Sequence, residues 1–397
     1  MLLPSISGAK KPFLLFSLLV PAALNVFAAS QSAAPIDAIF PPKIDSRTPG
    51  AAVLVRKNGH TVFMRTYGVT DLNTFAKIDA RTNFRLASFT KQFTAMAIML
   101  LVHDGKLRYD QNLTELFPGF PDYGRAITVR HLLTHTSGLP DYEELMEQKE
   151  KANGAPFWSS TKQIHDDEVL ALLAEQAKGV FEPGTSWSYS NSGYVVLGLI
   201  VAKVSGMPYA DFLRKRIFAP LKMSQTVVYM DGVNTVKHRA YGFSKKNGHL
   251  VPTDQSATSA TLGDGAIYSN LVDLARWDDA LKSNKLLPQA EMARAFEPVK
   301  LNNGNLPVDD STPAKPVSYG FGWFLSPIDG HPCTWHTGST SGFRTVIERF
   351  SDTGLTIIIL LNRTDLDAAE LATEVLRADT GMNAPAKGKR AKRSAQN

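Results

Sequence analysis

Patterned sequence begins with Ala51–Val55, an unbroken apolar run, followed by the pair Asn58-Gly59 and a second strand-like stretch from Thr61 to Tyr67. Asn-Gly favours the tight turn whose twist matches paired strands, so this stretch predicts a β-hairpin. From Ser88 to His103 the period changes. Phe89, Phe93, Met96, Ala97 and Leu100 recur at helical spacing, and the second half is apolar on nearly every face. That predicts a deeply buried helix, stopped at Asp104-Gly105. Val169–Ala177, Tyr194–Val204 and Leu271–Leu281 repeat the helical pattern inside a long stretch with few strand signals, and Asn302–Lys315 is a polar loop.

The strand pattern then returns. Tyr319–Ser326 and His331–His336 flank a turn at Pro327–Gly330, Phe343–Phe350 alternates, Ser351–Gly354 turns, and Leu355–Asn362 is a buried strand. Asp365–Leu376 is an amphipathic closing helix. Strands at both ends with helices between them predict a mixed α/β chain of the α+β type. One antiparallel sheet is assembled from the N-terminal hairpin and the C-terminal meander and flanked by helices. The sheet domain takes residues 50–105 and 300–380, and a mostly helical insert takes 106–299. A site is expected in the cleft between them.

The two ends read differently. Lys10 and Lys11 precede an apolar stretch, Phe13–Phe27, and Val26-Phe27-Ala28 offers small residues where a signal peptidase cuts. Residues 1–28 are therefore expected to be an export signal and 29–49 a linker or edge segment. The stretch is shorter than the roughly 20 residues a spanning helix needs. No cysteine follows it for lipid attachment, and the alternative is an uncleaved membrane anchor. Residues 381–397 are expected to be a basic, disordered tail. A periplasmic or secreted location follows, with no stable membrane span after cleavage.

Composition changes the picture in two places. The 397-residue chain has a net charge of +6, but seven cations lie in its two ends: Lys10, Lys11, Lys387, Lys389, Arg390, Lys392 and Arg393. Without them the body stands at −1, which argues against a nucleic-acid groove. Cys333 is the single cysteine, which excludes an internal disulfide and a thiolate zinc site.

Ser88-Phe-Thr-Lys91 places a hydroxyl and an amine three residues apart, on one face of the buried helix. At a helix N-terminus the serine meets the positive end of the dipole. A lysine entering an apolar core has its ammonium form disfavoured, and a neutral lysine can accept the serine proton. The bland reading is an N-cap serine with a surface lysine. Ser7/Lys10 and Ser159/Lys162 have the same spacing but open no buried helix.

Tyr189-Ser-Asn191 precedes a helical run, and its two outer side chains can share a cleft. A phenol beside an ammonium is expected to have a lowered pKa and to act as a base; otherwise Tyr189 packs a turn. In the similar Tyr268-Ser-Asn270, Asn270 reads as a helix N-cap. His336-Thr337-Gly338 is expected to end a strand, where small residues let a substrate backbone lie along a sheet edge. The alternative there is a strand-end turn with a satisfied histidine. His131 and His135 have zinc-like spacing, but Leu132 stands where the metalloprotease pattern needs Glu, so a structural role is expected. Gly338-Ser-Thr-Ser-Gly342 has Thr340 at the centre and is no hydrolase elbow.

In this order, these motifs resemble the serine β-lactamase and penicillin-binding superfamily. The likeness is to the branch of class C β-lactamases, D-alanyl-D-alanine carboxypeptidases, D-aminopeptidases and related esterases. It spans roughly Ala51 to Arg363, with supporting phrases at 127–142, 181–198, 263–277 and 319–323. The resemblance implies Ser88 as acylated nucleophile, Lys91 as its proton acceptor and Tyr189 as a second base. Asn191, His336, Thr337 and Gly338 would bind substrate, and the amides of Ser88 and Ser339 would form the oxyanion hole. It implies a small-molecule or peptide substrate and no metal or organic cofactor. Class C β-lactamases carry lysine where His336 stands, and a histidine need not be charged. That favours a peptidase or esterase over a dedicated β-lactamase; a true class C-like enzyme and a penicillin-binding sensor without turnover are the alternatives.

Overall fold

The computed structural model describes residues 1–2, 33–309 and 316–381. The expected export signal and basic tail lie outside these residues. The main sheet has six antiparallel strands in the order His60–Tyr67, Ala51–Lys57, Leu355–Leu361, Phe343–Phe350, Cys333–Thr340, Phe324–Leu325. Both chain ends thus supply one sheet. The hairpin turn is Asn58-Gly59 with φ of 54° and 87°, the left-handed pair that a two-residue turn requires.

Side-chain parity explains the two cores. Val53, Val55, Ile357, Ile359 and Val346 face one side, where Leu371, Val375 and Leu376 of the Ala368–Thr380 helix cover them. Ala52, Leu54, Ile358, Leu360 and Ile347 face the other, against the Lys91–His103 helix and the insert. Covering both faces is why the Leu355–Leu361 strand is apolar throughout. In the Lys91–His103 helix every residue from Lys91 to Leu101 is buried. Each of its larger apolar side chains contributes roughly 1.5–3 kcal/mol by leaving water.

Several boundaries differ from expectation. Residues 33–49 do more than link: Ala33–Asp37 is a short helix, and Ile36, Phe40 and Ile44 are buried in the second core. Of Tyr319–Ser326 only Phe324–Leu325 is strand. The return strand runs through His336 to Thr340, so the histidine stands mid-strand rather than at its end. The insert contains the expected helices, as Asp166–Ala174, Asn191–Ser205 and Leu271–Ser283. It also holds a polar helix, Tyr142–Asn153, and short strands at Val227–Val228, Phe243–Lys246, His249–Pro252 and Ile267–Ser269.

Candidate active site

Ser88 lies in a 3₁₀ turn, Ala87–Thr90, immediately before the buried helix rather than at that helix's own first residue. Ala87 takes a left-handed φ of 50°, a tight bend that leaves Ser88 half-exposed in the cleft wall. Lys91 is fully buried. Its Nζ lies 3.0 Å from Ser88 Oγ, 2.8 Å from Asn191 Oδ1 and 3.2 Å from the Asp264 carbonyl. Burial pushes the ammonium down to about 8, against the opposing pull of Asp264, Glu143 and Asp141. About one lysine in ten is then neutral at pH 7. A neutral amine has two hydrogens and one lone pair. Asn191 Oδ1 and the Asp264 carbonyl can only accept, so they take the hydrogens, and the lone pair is left for the Ser88 hydroxyl.

Tyr189 joins this group from the insert. It is hydrogen-bonded with Ser88, and Lys91 Nζ lies 4.9 Å from its ring centroid. The expectation of a lowered phenol pKa is overturned. Burial raises it well above the ordinary value, and the Ser88 hydrogen bond offsets this only in part. Tyr189 stays protonated, which leaves Lys91 as the more readily deprotonated group of the two. Tyr189 is held by His135, whose ring packs on it at 4.4 Å and whose Nδ1 accepts the Ser190 N–H at 3.0 Å. His131 Nδ1 instead accepts the Thr128 N–H, capping its own helix. Each member of the zinc-like pair therefore has a separate structural partner.

His336 is buried. Its Nδ1 is 2.6 Å from the Thr337 carbonyl and its Nε2 3.2 Å from the Tyr319 hydroxyl. Burial, then Lys91, pushes its pKa down to about 3, so it is neutral. The carbonyl must accept, which puts the proton on Nδ1 and lets Nε2 accept from Tyr319. His336 is thus fully engaged. Thr337 is half-buried on the same strand. Gly338 is needed for closeness: a Cβ there would fall on the Leu86 carbonyl oxygen and Thr345 Oγ1. Its lack of a side chain lets the strand lie directly against the turn that carries Ser88. Ser339 lines the cleft with Ser88 and Asn191.

The cleft holds about 480 Å³. Sequence reasoning missed Tyr142, Glu143 and Asp264, which also line it. The phrase Pro140-Asp141-Tyr142-Glu143 carried a signal in Asp141, which caps the Tyr142–Asn153 helix through the N–H of Glu143 and Glu144. The other motifs fall elsewhere. Asn270 caps its helix by accepting the Asp273 N–H at 3.0 Å. Lys162 Nζ sits 3.2 Å from the Phe157 ring centroid, away from the cleft-lining residues.

An antiparallel sheet built from both chain ends, a helical insert and a serine–lysine pair at their junction define a hydrolase of the β-lactamase and transpeptidase type. The family described as Beta-lactamase matches residues 36–381, and the chain belongs to it as a serine hydrolase. Penicillin-binding protein 4* of Bacillus subtilis (strain 168) is 36% identical over 325 residues, covering 78% of this chain and 67% of that protein. A D-aminopeptidase of Cereibacter sphaeroides (strain ATCC 17029 / ATH 2.4.9) is 27% identical over 346 residues, covering 85% of this chain and 61% of the relative's length. Among solved structures, D-amino acid amidase from Ochrobactrum anthropi SV3, complexed with L-phenylalanine amide, superposes with a TM-score of 0.71 at 26% identity. The match covers 88% of this chain and 98% of that one.

Proposed function

We propose that the protein is an exported hydrolase that cleaves amide or ester bonds through an acyl-enzyme on Ser88. The observation that carries this reading is the 3.0 Å approach of a buried lysine, lowered to about 8, to the Ser88 hydroxyl. Ser88 Oγ bonds to the carbonyl carbon as its proton passes to Lys91. The carbon–nitrogen or carbon–oxygen bond then breaks, and the leaving group takes that proton through the neutral Tyr189 hydroxyl. Water next adds to the ester carbonyl, returns a proton to Ser88 and frees the acid. The amides of Ser88 and Ser339 hold the developing oxyanion.

D-amino-acid peptides and short esters fit better than β-lactams as physiological substrates. The neutral His336 supplies no fixed cation where class C β-lactamases place a lysine. Export rests on the charged and apolar pattern of residues 10–28. Incubation with a labelled penicillin or a fluorophosphonate should add mass to the Ser88 peptide, and Ser88→Ala should abolish the label. An unmodified Ser88 with both reagents would refute the reading. A permanent adduct without turnover would identify a sensor instead. Cell fractionation, with an N-terminus beginning after Ala28, tests export.

A further inference from the structure

A second cavity, of about 660 Å³, shares no lining residue with the catalytic cleft. It opens between the helical turn Arg214–Phe218, the chain leading into the Val227–Val228 strand, and the Leu271–Ser283 helix. Four cations line it, Arg214, Lys222, Lys237 and Arg276, and among the described residues no carboxylate does. The body of the chain is close to neutral, so this is a local excess of one sign. A concave wall of such charge concentrates its field on an anion.

The cations are held in place from behind. Asp273 is buried and accepts the N–H groups of Gln225 and Thr226 at 2.9 Å each, and Arg276 Nη1 at 2.8 Å. Arg276 Nη1 also donates to the Lys222 carbonyl at 2.6 Å, which leaves Nε and Nη2 without a partner among the described residues. Lys222 and Lys237 are exposed, and neither pairs with a carboxylate among the described residues. Arg214 has Asp211, and a pair so exposed binds weakly. Lys222 also takes a left-handed φ of 59°, where glycine or asparagine would be less strained. Strain of this kind gathers at functional sites. One acceptor is left over as well: Gln225 Oε1 is buried with no donor.

Phosphate suits these cations better than carboxylate, because it carries more charge and its oxygens accept from several donors at once. A bare phosphate fills only a small part of 660 Å³, so a carrier must occupy the rest. A carrier with hydroxyl groups can donate to Gln225 Oε1 and meet the Ser224 and Thr235 hydroxyls that also line the space. We propose that this cavity binds a phosphate ester of a polyol, with the phosphate on Lys222, Lys237 and Arg276 and a carrier hydroxyl on Gln225 Oε1. A free polyol phosphate and the glycerol phosphate headgroup of a lipid share this chemistry.

The test is titration calorimetry of the full chain at low ionic strength with glycerol 3-phosphate, inorganic phosphate and glycerol. Glycerol 3-phosphate should bind about tenfold or more tighter than inorganic phosphate, and glycerol should not bind. Lys222→Asn, which suits the left-handed backbone, combined with Lys237→Gln should weaken glycerol 3-phosphate by about tenfold or more. Gln225→Leu should shrink the preference over inorganic phosphate. Circular dichroism checks each variant, and Lys237→Gln alone, on an exposed side chain, carries the test should the double variant not fold. Co-sedimentation with phosphatidylglycerol vesicles, against phosphatidylcholine, separates the sources. Calorimetric binding without sedimentation assigns a free polyol phosphate, and sedimentation lost with the two lysines assigns a lipid headgroup. Equal affinity for inorganic phosphate, or binding in neither arm, overturns the proposal. So does binding that the lysine substitutions leave unchanged, which would place the anion on the basic residues 387–393 instead.

Discussion

Lys91 Nζ lies 2.8 Å from Asn191 Oδ1, a contact between residues 100 positions apart that pins the insert to the buried helix. It also dictates which way the amine's lone pair points. Lys91→Ala should lower kcat by about a thousandfold or more, as should Ser88→Ala, because both remove the same unit. The two changes combined should cost little beyond either alone, measured as hydrolysis of a p-nitrophenyl ester.

With Lys91 as the proposed acceptor of the serine proton, its protonation state should make hydrolysis pH-dependent. The base form is the neutral one, so kcat/KM should rise with pH through about 8 and then level. Asn191→Asp places a negative charge against Nζ, which favours the ammonium. Its pH profile should move upward by about one unit or more. An unmoved profile would assign the titration to another group.

His336→Lys should weaken the fold rather than capture carboxylates. The position is buried, both imidazole nitrogens are engaged by Tyr319 and Thr337, and Lys91 already lowers the pKa there. A second ammonium would be desolvated beside a like charge and would leave Tyr319 without its acceptor. A loss of about 1–3 kcal/mol is expected, read by denaturant unfolding. Tighter binding of a carboxylate-bearing substrate would contradict the arrangement.

Gly338→Ala tests the closeness of strand and nucleophile. The added methyl would collide with the Leu86 carbonyl and Thr345 Oγ1, so the strand must retreat from the Ser88 turn. A displacement of about 1 Å costs on the order of a hundredfold in rate. The loss should fall on kcat for every substrate, because the proposed oxyanion donors on the two segments, the amides of Ser88 and Ser339, would separate.

What the sequence made legible follows from local physics. Asn58-Gly59 forced its turn, the two-residue alternation set the sheet faces, and Ser88 and Lys91 met because three residues span one helical turn. The rest depended on distant chain. Whether Tyr189 is more or less acidic than usual turns on how deeply the insert buries it, and burial outweighed the nearby hydrogen bond. His336 could be known as a histidine but not as a neutral one, since Tyr319 and Thr337 decide that. Glu143 and Asp264 are separated by 121 positions and come together only in the fold; Asp264 lies inside the 263–277 phrase and Glu143 just beyond the 127–142 phrase, but neither phrase says that the two carboxyl groups share one cleft.

The six-stranded sheet has its last strand in its middle: Leu355–Leu361 is bonded to Ala51–Lys57 on one side and Phe343–Phe350 on the other. A growing chain therefore carries Ser88 without the wall that completes its cleft until residues 333–361 have been made. The central strand pairing joins residues some three hundred positions apart, which makes assembly slow and late. Until that strand arrives the polypeptide has no finished cleft, so hydrolytic competence should appear only once Leu355–Leu361 is free to pair.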